Sequence, residues 1–151
     1  MVARFERFSL AISEISRYWH KLTAEEMEKY GLKGTHSVYL LSMLRCPEGI
    51  TAPQLGELCG KDKADVSRMM AIMEKKGLVI KEGIHQKRYG GTFRLTQEGV
   101  AAAQQVCQRA SLAVEIAGKD LSEENRAIFY DALESITANL RTLSKEGIPQ
   151  K

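Results

Sequence analysis

The stretch from Thr51 to Gly99 constrains this chain more than any other, because cap and turn residues cut it into short elements with little freedom. Thr51-Ala52-Pro53-Gln54 predicts a helix start. Thr51 caps with its hydroxyl, Pro53 is tolerated in the first turn, and Gln54 completes a capping box. Leu55 and Leu58 are the expected buried face, and Gly60 ends the helix. Asp62 then caps a second helix, with Asp65 also placed at the positive end of its dipole. On this helix Val66, Met69, Met70 and Met73 recur at helical spacing and are expected to point inward as core packing. The other face carries Lys63, Ala64, Ser67, Arg68 and Ala71. Gly77 stops this helix. Leu78-Val79-Ile80 and Thr92-Phe93-Arg94-Leu95 predict paired strands, and the segment between them holds Lys87, Arg88 and Tyr89 between glycines.

Two helices joined by a tight turn and followed by a charged hairpin form the layout of a winged helix-turn-helix lobe. Charge follows the same boundaries. Residues 61–96 hold nine Lys/Arg against four acids, so this segment is +5 in a chain of net charge +3, and the remainder is −2. A charge run alone is usually a solvated face; in this setting it marks a surface for a polyanion. Lys63, Ser67 and Arg68 are placed to reach phosphates or base edges, with Lys75 near the end of the same helix. Lys76 and Lys81 are further candidate contacts, with a solvated face the equal alternative. Thr51 and Gln54 open a helix whose free N–H groups suit a phosphate, although capping alone also explains them. Lys87 or Arg88 at the hairpin tip would sense the negative potential of a minor groove.

The flanking segments carry apolar seams. Phe5, Phe8, Ile12, Ile15, Trp19 and Leu22 are spaced 3, 4, 3, 4, 3 on one long N-terminal helix. Such a seam calls for a partner helix, from elsewhere in the chain or from another subunit. Gly31 and Gly34 then break the chain, and a second helix is expected from Thr35 or His36 to Arg45, with Val38, Leu41 and Leu44 inward. Ile50 suits a strand of one or two residues. Thr96 caps a helix predicted over 97–118, with Val100, Ala103, Cys107, Ala110, Val114 and Ala117 as a second seam. Ser122 caps the last helix, whose seam is Phe129, Leu133, Ile136, Leu140 and Leu143. The predicted fold is mainly α with a small β-hairpin. Residues 1–151 are read as one domain, with seam-bearing helices over 1–30 and 97–146 flanking a winged-helix lobe over 35–96. Phe5, Phe8, Ile12, Ile15, Phe129, Leu133, Ile136, Leu140 and Leu143 are the seam residues that would meet a second copy if these terminal helices dimerise.

Other classes find less support. There is no Ser/His/Asp or Cys/His set, no phosphate loop and no cluster of metal ligands, so neither an enzyme nor a metal or other cofactor is expected. Cys46, Cys59 and Cys107 lack paired spacing, which favours free thiols. Burial of Cys107 in the small-residue seam would raise its pKa and dull it. No apolar run approaches the length that crosses a bilayer, and the N-terminal residues lack a signal-peptide pattern. The expected location is the cytoplasm.

Three elements together resemble the MarR family of bacterial transcriptional regulators: Asp65-Val66-Ser67-Arg68-Met69-Met70, then Met73-Glu74-Lys75-Lys76-Gly77-Leu78-Val79, then Leu95-Thr96-Gln97-Glu98-Gly99. The resemblance extends over nearly the whole chain. It implies a dimer built from the terminal helices, a helix over 62–76 that enters the major groove, and a hairpin over 78–95 that reaches the minor groove. By position, Ser67 and Arg68 match the polar pair at the DNA-facing part of the recognition helix, and Arg88 falls near the wing arginine. Many members carry an Asp shortly before that arginine; Lys87 stands there instead. The resemblance also implies an effector crevice, for which Trp19, His20, Tyr39 and Met43 are candidates, core packing being the alternative for each. Peroxide-sensing members place a cysteine on the first helix, and this chain has none there.

The resulting expectation is a sequence-specific, DNA-binding transcriptional regulator. It would act as a homodimer on a near-palindromic operator, as a repressor released by a small molecule. The alternative is a winged-helix module for protein interaction or DNA architecture without an effector response.

Overall fold

The computed structural model describes residues 3–83 and 91–150. In chain order the elements are α1 (Arg4–Glu28), a 3-10 turn (Gly34–His36), α2 (Ser37–Leu44), β1 (Ile50–Thr51), α3 (Ala52–Cys59), α4 (Lys63–Lys75), β2 (Val79–Glu82), β3 (Thr92–Leu95), α5 (Gln97–Ala117) and α6 (Glu123–Glu146). This is a mainly α winged-helix fold with a small sheet. The chain divides into two compact units, Met1–Ser111 and Leu112–Lys151, with the division inside α5.

Local chemistry sets the boundaries in the first unit. The Gln54 N–H donates to Thr51 Oγ1 at 3.3 Å and the Thr51 N–H to Gln54 Oε1 at 3.2 Å, a closed capping box at the start of α3. Gly60 ends α3 at φ 65°, a left-handed conformation that favours glycine. Asp62 Oδ1 accepts the Asp65 N–H at 2.8 Å and opens α4.

The three strands form one antiparallel sheet in the order β1-β3-β2. Ile50 pairs with Phe93 and Thr51 with Thr92; on the other side Val79 pairs with Leu95 and Lys81 with Phe93. The short β1 therefore joins the hairpin to the start of α3. Glu82 and Arg94 tie the two hairpin strands together, with Arg94 Nη2 donating to Glu82 Oε1 at 2.6 Å. Among the causes that hold the Glu82 carboxyl below its usual range, this bond is the largest.

The core lies between α2, α3, α4 and the sheet. Leu40, Leu55, Val66, Val79, Phe93 and Leu95 are buried there, together with Met27, Met43, Met69, Met70 and Met73, five of the chain's six methionines. The stripe of Val66, Met69, Met70 and Met73 does point inward as its spacing predicts.

Several inward faces differ from their expected positions. On α2 the buried residues are Tyr39, Leu40 and Met43, while Val38, Leu41 and Leu44 are only half-buried against the core. Eight residues make barely two turns, too few for a period to select one face. On α3 Leu58 is 53% exposed. Leu55 and Gly56 are buried instead, with Cys59 half-buried one turn beyond Leu55. On α5 the buried set is Gly99, Ala102, Ala103 and Val106, so the expected seam is rotated and Cys107 is exposed rather than buried. Gly99 explains the rotation: a β-carbon there would collide with the Leu78 carbonyl, so this face presses directly on the strand.

On α1, Phe5, Phe8, Ile12 and Ile15 are 39–71% exposed, a continuous apolar seam left open in the single chain. The C-terminal end of α1 is anchored by buried Met27 and by Glu26, which accepts from Lys29 at 2.7 Å and from Arg109 of α5 at 3.1 Å.

In the second unit Ser122 Oγ accepts the Asn125 N–H at 3.1 Å and caps α6. Arg126 fastens the preceding turn, donating to Glu115 Oε2 and to the Gly118 carbonyl, both at 2.9 Å. On α6 Phe129, Ile136, Leu140 and Leu143 are exposed and Leu133 is half-buried. Among the described residues, no helix is long and apolar enough to cross a membrane.

Candidate nucleic-acid interface

The sheet, the N-terminus of α3 and one face of α4 line an open groove of about 510 Å³. Its floor is apolar, formed by Ala52, Pro53, Met70, Ala71 and Phe93. Its rim carries Thr51, Lys63, Ser67 and Lys81 against one acid, Glu74. Lys63, Ser67, Ala71 and Glu74 recur at helical spacing, so one face of α4 forms one wall. The adjoining face of α4 is the methionine stripe, and its Met70 also contributes to the groove floor. The helix thus has one side fixed in the core and a neighbouring side open.

Three sequence-predicted site residues, Thr51, Lys63 and Ser67, are brought together in this groove. Arg68 lies next to it on α4 with its side chain 72% exposed. Gln54 and Lys75 are exposed at the first turn of α3 and the last turn of α4. Lys87 and Arg88 lie outside the described residues. Lys81, weighed from the sequence as a candidate contact alongside Lys75 and Lys76, is placed by β2 on the groove rim, its ammonium 5.4 Å from the centroid of the Phe93 ring. Its signal was the alternation of β2, which sends Lys81 to one face and Ile80 to the other.

A second feature was not legible in the sequence. The hydroxyl of Tyr39 donates to Asp65 Oδ2 across 26 residues, and Arg68 Nη2 donates to Asp65 Oδ1 at 3.4 Å. The bond from Tyr39, followed by the one from Arg68 and the charges of Lys61 and Arg68, holds the Asp65 carboxyl below its ordinary range against some desolvation. Burial, then the bond to Asp65, pushes the Tyr39 phenol well above its ordinary value.

The effector candidates have different settings. Trp19 and His20 stand on the exposed part of α1. Tyr39 and Met43 are sealed in the core, at 0% and 1% exposure, the packing role weighed against an effector contact for each. Apolar burial governs both: the ring and the thioether belong to the core cluster, and the one polar atom, the Tyr39 hydroxyl, is satisfied internally by Asp65. Cys59 is half-buried, its thiol donating to Ser42 Oγ at 3.4 Å, and burial is the main cause that raises its pKa. Among the described residues no group of His, Cys, Asp and Glu could hold a metal ion.

The helix pair α3 and α4 on an apolar core, flanked by a short sheet, defines a winged helix-turn-helix fold. The fold is specifically that of MarR family transcriptional regulators. A MarR family regulator from Listeria monocytogenes, solved in complex with 26-mer DNA, is similar at 21% identity with a TM-score of 0.77, over 93% of this chain and 95% of that one. A MarR regulator from Methanosarcina mazei Go1 is similar at 22% identity with a TM-score of 0.79, over 91% and 99%. Wild-type MarR from E. coli in its apo form is similar at 20% identity with a TM-score of 0.68, over 90% and 98%. No protein-family model and no curated protein sequence matches the chain.

Proposed function

We propose that this protein is a MarR-type transcriptional regulator that binds double-stranded DNA in a sequence-specific manner through α4 and the groove beside it. The observation that carries this reading is the division of α4 into a buried methionine face and an open face bearing Lys63, Ser67 and, alongside, Arg68. Cations there attract the phosphate backbone, and small residues at 64 and 71 let the helix approach the groove floor. Lys81 adds positive charge from the hairpin, and the tip cations Lys87 and Arg88 are expected to extend it. The Listeria protein of the same fold was crystallised with DNA.

The open seams on α1 and α6 support a homodimer, because each would be buried by a second copy of the chain. Two recognition helices related by a twofold axis would meet half-sites about one helical turn apart, roughly 34–36 Å, so the operator is a near-palindrome. Regulation is proposed as repression, relieved when a small molecule shifts the population away from the DNA-competent state. Trp19 and His20 are the exposed contacts proposed for such an effector.

Selection of bound duplexes from a random pool at physiological salt tests this function. An inverted repeat with half-sites one turn apart is the expected result. General, salt-sensitive binding with no recovered motif would overturn it.

A further inference from the structure

The ring of Tyr39 is wholly buried, so its hydroxyl needs an internal acceptor. Among the described residues its acceptor is Asp65, on α4. Asp65 is held twice more: its backbone N–H donates to Asp62 Oδ1 at 2.8 Å, and its Oδ1 accepts from Arg68 at 3.4 Å. The Arg68–Asp65 pair is an exposed contact three residues apart, with side chains 72% and 32% accessible. Such pairs are weak alone, because both partners wander. Here the acid cannot follow the arginine, since its other oxygen is bonded to a side chain rooted in the core.

We infer that Tyr39 is a positioning residue for DNA recognition: by pinning Asp65 it sets where the Arg68 guanidinium stands before DNA arrives. The inference rests on the reading of Arg68 as a DNA contact. A guanidinium has five donors, and the bond to Asp65 uses one, which leaves a pair free for a bidentate contact to a base edge. Holding the group in place beforehand reduces the side-chain freedom lost on binding. Without the Tyr39 hydroxyl, Asp65 turns towards Arg68 or Lys61 and competes with the base for the guanidinium donors. Net charge is unchanged by that loss, so general attraction to phosphates stays the same while discrimination falls.

The test is a double-mutant cycle of Tyr39→Phe and Arg68→Ala. Fluorescence anisotropy is measured on the duplex recovered by random-pool selection and on a scrambled duplex of equal composition. Tyr39→Phe is expected to weaken the selected duplex about three- to tenfold. The scrambled duplex and the salt slope should not move, and in the Arg68→Ala background the Tyr39 effect should shrink to less than about twofold. Equal loss on both duplexes, or an undiminished loss without Arg68, overturns the positioning role. If Tyr39→Phe does not fold as the parent does, Asp65→Asn replaces it in the cycle: the lost negative charge tightens both duplexes together, and the positioning role predicts that the ratio of selected to scrambled affinity still falls about three- to tenfold, a fall that disappears in the Arg68→Ala background. A parent protein that does not discriminate the duplexes overturns the regulator reading itself, and the positioning role with it. A discriminating parent with an additive cycle overturns only the role of Tyr39.

Discussion

The Thr96 hydroxyl donates to the Gly77 carbonyl over 2.6 Å, and so the two sequence elements that most resemble the MarR pattern are bonded to each other. The same oxygen accepts the Gly99 N–H at 3.0 Å and caps α5, while the Thr96 N–H donates to the Leu78 carbonyl at 3.0 Å. The end of the recognition helix, the start of the hairpin and the start of α5 therefore meet at one joint. Gly99 is needed because the Leu78 carbonyl occupies the space of a side chain.

Thr96→Val is expected to remove the cap and the tie together, at a cost of about 1–2 kcal/mol. Gly99→Ala is expected to cost about 1–3 kcal/mol through forced displacement of the strand. Urea unfolding checks both, as a lower midpoint at unchanged slope. An unmoved midpoint for Gly99→Ala would show that helix and strand separate freely.

Arg68→Ala is expected to weaken the selected duplex by about 1–3 kcal/mol while leaving scrambled DNA nearly unaffected. Titration on both duplexes decides the role. Equal losses would make Arg68 a phosphate contact and move base reading elsewhere on α4.

Lys63→Ala acts differently if its ammonium neutralises one phosphate. The slope of log affinity against log salt then becomes shallower by about one unit, on any sequence. Affinities measured across a salt series supply the slope, and an unchanged value removes Lys63 from the interface.

The Asp65 carboxyl titrates below its ordinary range, first because Tyr39 donates to it. The folded state thus favours the carboxylate more than the unfolded chain does. Its contribution to stability is complete above the unfolded value of about 4 and is lost as pH falls below that towards the lower folded value. Tyr39→Phe is expected to flatten this part of the acid unfolding curve. Curves that stay parallel over that window would mean the hydroxyl does not stabilise the charge.

Ile12→Asp places a carboxylate in the middle of the open α1 seam. A parent protein that sediments as a dimer is expected to yield a monomer with this change, because an unpaired buried charge is strongly unfavourable. Sedimentation velocity over a concentration series reads the outcome; a dimer that survives places the interface elsewhere.

Where the determinants were short-range, the sequence displayed them. The box of Thr51 and Gln54, the caps at Asp62 and Ser122, and the methionine stripe of α4 depend on residues three or four apart, and each is found as its spacing predicts. Short helices were less readable: α2 buries Tyr39 and Met43 rather than Leu41 and Leu44, since both sets fit a single turn. The rotated face of α5 follows from the contact of Gly99 with Leu78, a tertiary fact without a local signal. The groove was half visible, in Lys63 and Ser67. The link from Tyr39 to Asp65 joins elements 26 residues apart, and neither residue type announces it.

The methionine floor gives the recognition helix an unusual seat. Met69, Met70 and Met73 of α4 lie in one core with Met43 and Met27, all unbranched thioether chains with three rotatable bonds. A floor of leucine or phenylalanine answers displacement with a void or a clash. A thioether floor answers it by changing rotamer and refilling the space. The helix is therefore mounted on a compliant bearing, in which the thioethers can follow a small displacement by changing rotamer.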